Sequence, residues 1–80
     1  MKKLAIIRNV GIGMRDTYRP VLWFDTYTSE STAALAIIEW EAAGKLFEKH
    51  SIRDVKNLEG KPCWVEVDIG MIRFSDLAKI

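Results

Sequence analysis

Arg8, Arg15, Tyr18, Arg19, Trp23, Trp64 and Arg73 are the residues of this 80-residue chain best suited to recognition chemistry. A guanidinium pairs in two-pronged fashion with phosphate or carboxylate. Indole and phenol rings offer flat surfaces for stacking bases, and the same residue types dominate protein-interface hot spots. Trp40 extends the set. Residues for covalent or acid–base chemistry are sparse. His50 is the only histidine, and its sequence neighbourhood suggests no triad. Its place at the end of an expected helix suits it to satisfying the last carbonyls. Glu66 and Asp68 fall on one parity of an alternating segment with Trp64. Paired carboxylates can exchange protons with a substrate, but on a strand that spacing describes a solvated face. Cys63 is the only cysteine, so neither an internal disulfide nor a cysteine metal cluster is expected. It shares a parity with Val65 and Val67 and reads as a small buried hydrophobe. Gly11-Ile12-Gly13-Met14-Arg15-Asp16 opens like a dinucleotide fingerprint. Asp16 stands where the third glycine belongs, and a strand follows where a helix is required. The glycines therefore mark a bulged or thinned strand. No catalytic residue, metal site or cofactor is expected.

The elements that must position these residues follow from periodicity. Lys3 to Met14 alternates as a first strand, with Ile6, Arg8, Val10 and Ile12 on one parity and Ala5, Ile7, Asn9, Gly11 and Gly13 on the other. Arg15 to Arg19 with Pro20 is a turn. Val21 to Thr28 is a second strand, rich in aromatic and β-branched residues. Thr32 to Ile38 is ambiguous: its alanines favour helix, while Thr32, Ile37 and Ile38 favour strand. The short connection through Ser29-Glu30-Ser31 argues for a hairpin and hence a strand. Glu39 to His50 is a helix, acidic in its first turn and basic near its end, as the macrodipole prefers. Trp40, Ala43, Leu46 and Phe47 mark its buried stripe, and Gly44 suggests a close approach to the sheet. Asp54 to Leu58 is a short turn or 3₁₀ segment. Pro62 to Phe74 is a hairpin turning at Ile69-Gly70, with Val65 and Val67 inward and Glu66 and Asp68 outward. Ser75 to Lys79 reads as a turn or short helix. The fold class is α+β: one domain spanning residues 1–80, an antiparallel sheet of about five strands with one helix packed on a face.

Composition bounds the partners. The chain is 49% hydrophobic with a formal charge of +1. Its basic residues are scattered, whereas duplex nucleic-acid binders show a basic face or stripe. The N-terminal apolar run stops at Arg8, too short for the core of a signal peptide. No stretch approaches the ~20 apolar residues of a membrane span. A cytoplasmic protein is expected.

The run Asp54-Val55-Lys56-Asn57-Leu58-Glu59-Gly60-Lys61, the helix before it and the alternating strand after it resemble a group of short phage and prophage accessory proteins of unknown function. The likeness runs mainly from Ala42 to Phe74. It implies a setting in a host cytoplasm, where such proteins act by blocking a host protein or sequestering a signal molecule. The combined expectation is a non-catalytic binding protein that inhibits a host component. The alternative is a small nucleotide or single-stranded nucleic-acid binding module using Arg and aromatic residues. A minor structural or assembly role is a third class. So short a sheet leaves edges and one face uncovered, which predicts a homodimer.

Overall fold

The computed structural model describes residues 1–14 and 18–78. Period-2 alternation yields five strands: β1 (Lys2–Gly13), β2 (Val21–Ser29), β3 (Thr32–Glu39), β4 (Pro62–Asp68) and β5 (Met71–Leu77). The helix α1 (Trp40–Lys49) follows β3, and a 3₁₀ turn (Val55–Leu58) precedes β4. The strands form one antiparallel sheet in the order β3-β2-β1-β4-β5. β1 is central. Its first half pairs with β4, from Lys2↔Glu66 to Ile6↔Pro62, and its second half with β2, from Ile6↔Tyr27 to Gly13↔Val21. The pairings make β3 and β5 run parallel. These edge strands come close to one another without a hydrogen-bonded ladder, so the sheet is curled. This connectivity, with the helix between the third and fourth strands, is that of the partly open five-stranded barrel known as the OB-fold.

The concave side holds the core. Ala5, Ile7, Leu22, Phe24, Cys63, Val65 and Leu77 come from strands, Ala43 from the helix, and Ile52 and Leu58 from the connection after it. Phe24 and Phe74 meet edge to face, with ring centroids 5.1 Å apart. Each large apolar side chain buried there stabilises the fold by roughly 1.5–3 kcal/mol. Thr26 is the polar exception, and its hydroxyl donates to the Ala34 carbonyl at 3.0 Å. Val65 points inward and Val67 is partly buried against the same cluster, while Glu66 and Asp68 are exposed, as the alternation of β4 requires.

Four local expectations are corrected. The parity of β1 does not run unbroken, because Asn9 and Val10 form a bulge between Arg8 and Gly11. Asn9 adopts φ 57°, and the backbone N–H groups of Asn9 and Val10 donate to the two carboxylate oxygens of Glu59 at 3.1 and 3.2 Å. Beyond the bulge Gly11 lies on the face of Arg8, not of Ile7. Trp40 is not part of the buried stripe: it opens the helix at the rim of the sheet and is 46% exposed. Gly44 makes no close approach, since a Cβ built there meets nothing within 4 Å. Ser75 to Leu77 is neither turn nor helix. A register shift opposite Trp64 and Val65 absorbs Ser75, and pairing resumes at Trp64↔Asp76 and Cys63↔Leu77. Lys79 lies outside the described residues.

Candidate functional site

Leu35, Ile37 and Glu39 share one parity of β3 and leave the sheet on its outer side, because Phe24, Thr26 and Leu22 on the opposite parity of β2 fill the core. Leu35 is 44% and Ile37 52% exposed. Glu39 stands at the N-cap position of the helix that follows, without a side-chain capping hydrogen bond, and Trp40, the first helical residue, lies beside Ile37. Together with Tyr18, Arg19, Pro20, Val21 and Glu41, three of these residues (Ile37, Glu39 and Trp40) line a shallow groove of ≈ 820 Å³. Buried Val21 lies at its base and fully exposed Tyr18 at its mouth.

Trp23 belongs to the same face but is laid down on it. Its ring covers Gly11 and Gly13 so closely that a Cβ on Gly11 would stand 2.4 Å from the ring. The glycines that mimic a nucleotide fingerprint thus make a flat bed for an indole.

The groove carries Glu39 and Glu41 from one side and Arg19 from the other. From Pro20 to Gly44 the chain contains Asp25, Glu30, Glu39 and Glu41 and no lysine or arginine. Among the described residues, Glu39 and Glu41 form no salt bridge. Asp25 accepts from the Asn9 amide at 2.9 Å. Arg19, at the groove's margin, is itself engaged in an interaction.

The recognition residues expected from sequence are dispersed. Tyr18 and Arg19 meet at the groove with Trp40. Arg8 lies over a second hollow of ≈ 450 Å³ with Leu4, Ile6 and Tyr27. Trp64 lies on β4, 36% exposed, with the Lys2 ammonium 5.9 Å above its ring. Arg73 on the adjacent β5 pairs across from Glu66. Arg15 lies outside the described residues. Sequence reading missed Leu35, Ile37, Glu39 and Glu41. The signal available was the base-free interval from Pro20 to Gly44, hidden by a net charge that averages over the chain.

His50 corrects a further expectation. Its backbone N–H donates to the Leu46 carbonyl, but its side chain leaves the helix end and reaches Asp76 on β5. His50 Nε2 lies 2.9 Å from one Asp76 oxygen, and Lys49 Nζ donates to the other at 2.6 Å. An ionised carboxylate only accepts, so Nε2 carries the proton. The Lys49 hydrogen bond, then those from His50 and the Leu77 amide, hold the Asp76 carboxyl down at about 2 against partial burial. The trio clasps the helix end to the edge strand. Burial pushes the Cys63 thiol up to about 11, which keeps it protonated and unreactive. Among the described residues no group of three or more His, Cys, Asp or Glu is placed to hold a metal ion, and no helix is long and apolar enough to cross a membrane. No family model, curated protein or solved structure matches the chain.

Proposed function

We propose that the chain is a non-catalytic module that docks a protein partner on the outer face of β2 and β3. The observation that carries this reading is the apolar surface of Leu35, Ile37 and Trp40, exposed to water with the polar groups of Glu39, Glu41 and Arg19 around it. Exposed apolar surface rimmed by polar groups marks an interaction site. The likeness to short phage proteins makes a bacterial host component the partner to seek, with inhibition by occlusion as the mode of action.

The rival reading is a nucleotide or single-stranded nucleic acid. It draws on Tyr18 beside Arg19 and on the strand connectivity, since OB-folds often carry oligonucleotides on strands 2 and 3. Fold alone does not assign function, and the local charge decides. A polyanion gains affinity by releasing counterions to Lys and Arg. In the groove it meets Glu39 and Glu41 beside a single arginine, Arg19, that is already engaged in an interaction.

The test is a comparison of wild type with Ile37→Asp, a substitution at a half-exposed strand position, with thermal melts confirming that the variant is folded. Wild type retains a bacterial protein at physiological salt and the variant releases it, while neither binds labelled oligo(dT). Micromolar binding of oligo(dT), weakened steeply by salt, would reverse the order of the two readings.

A further inference from the structure

We infer that a second copy of this chain covers the outer face of β4, β1 and β2, with Trp64 of each copy seated in the hollow beside Arg8 of the other. Trp64, Leu4, Ile6 and Tyr27 leave the sheet on the side away from the core, because their neighbours Cys63, Val65, Ala5, Ile7 and Thr26 are buried. Leu4 is 49% exposed and Trp64 36%. The indole stands on the β4 side of β1, opposite Leu4 in the ladder. The hollow of ≈ 450 Å³ lies on the β2 side at that level, between Leu4, Ile6 and Arg8 on one wall and Tyr27, Ser29 and Glu30 on the other. β4 and β2 each lie one strand spacing, ~4.8 Å, from β1. A two-fold rotation about a line along β1 therefore carries Trp64 of one copy onto the hollow of the other, and the reverse contact forms at once. Such self-complementarity is what a two-fold interface demands, and a tryptophan filling a pocket is a common energetic anchor.

The charges agree with that seating. Near Trp64, Lys2 and Arg73 flank Glu66 in the ladder, the N-terminal ammonium also bonds Glu66, and the Lys2 ammonium lies 5.9 Å from the indole ring. Around the hollow, Asp25 stands opposite Arg8 and Glu30 lies on the rim. The corner of Trp64 thus has an excess of positive charge and the corner of the hollow an excess of negative charge. The rotation brings Lys2 to Glu30 along with its indole, while Arg8 gains an indole face to lie on. A second copy supplies anchor, hollow and both charge excesses by symmetry. The face is small against the roughly 800 Å² that each partner buries in a standard interface, so the pair is expected to dissociate in the micromolar range. The groove at Trp40 shares no residue with this contact, so docking there is tested separately.

Sedimentation equilibrium of the intact chain from about 5 to 500 μM is the test. Wild type is expected to pass from 9.2 kDa to twice that mass across the range. Trp64→Ala, checked as folded by thermal melting, is expected to raise the dissociation constant at least tenfold. Lys2→Glu and Glu30→Lys, both at exposed positions, are each expected to weaken self-association at least fivefold. An equimolar mixture of these two variants is expected to recover wild-type affinity, because each brings the charge the other lacks. Glu48→Lys, on the exposed side of the helix, serves as the charge control and stays within twofold of wild type. A chain still monomeric at the highest concentration, unchanged association in Trp64→Ala, or a mixture no tighter than its components each overturns the inference. The mixing experiment alters surface charges alone, so it decides the matter even where Trp64→Ala fails to fold.

Discussion

The glycines separate two meanings of one residue type. Gly11 has no room for a methyl group, because the Trp23 ring occupies that space. Gly11→Ala must push the indole off its bed and is expected to cost about 1–3 kcal/mol, as overpacking does, with a visible change in the Trp23 indole resonance. Gly44 lies inside a helix and faces open space. Gly44→Ala is therefore expected to raise stability by about 0.5–1 kcal/mol through helix propensity. Denaturant titration of the two variants checks both signs. A similar contrast holds for the potential nucleophile. With its thiol held at about 11 and fully enclosed, Cys63 is expected to resist iodoacetamide in the native state and to react only as the chain opens. Labelling that tracks the unfolding equilibrium supports this, and rapid native labelling would contradict it.

Elements were legible in the sequence wherever side-chain period alone decides them. The strand faces of β4, the hairpin through Ser29-Glu30-Ser31 and the helix between β3 and β4 all follow from local pattern. What local pattern misses is any feature set by a distant partner. The bulge at Asn9 and Val10 exists because Glu59, fifty residues later, takes both of its amides. The extension of β5 through Leu77 depends on Cys63 and Trp64 across the ladder. The contact of His50 with Asp76 spans 26 residues. The candidate site was half legible: Tyr18, Arg19 and Trp40 stood out by type, while Leu35 and Ile37 looked like ordinary strand residues until their face proved uncovered. The clasp at Asp76 has a pH signature. A carboxyl lowered from 3.8 to about 2 contributes stability that is full above its unfolded value and is lost as pH falls through the folded one. The melting temperature of wild type should therefore fall more steeply between pH 4 and pH 2 than that of Asp76→Asn. Near neutral pH the substitution should cost roughly 1 kcal/mol, the scale of a partly exposed ion pair.

For the molecule as a whole, the overall charge of +1 conceals a division of labour. Every Lys and Arg falls before Pro20 or after Gly44, so the interval between is acidic and apolar, and the fold brings bases back to it, with Arg8 opposite Asp25 and Arg19 beside Glu39 and Glu41. The position of β1 has a consequence for how the protein comes into being. The opening strand is the middle of the finished sheet, and half of its bonding edge belongs to residues 62–66. During synthesis β1, β2 and β3 leave the ribosome with that edge of β1 bare. The nascent chain therefore carries an unpaired, apolar-centred strand, Leu4-Ala5-Ile6-Ile7, until residues 62–66 have been made. A chain halted at residue 61 is expected to stay uncooperative in thermal melts and to be captured by chaperones, and adding a peptide of residues 62–78 should restore the native spectrum. Birth of this protein is thus a race between the arrival of β4 and the sticking of β1 to something else.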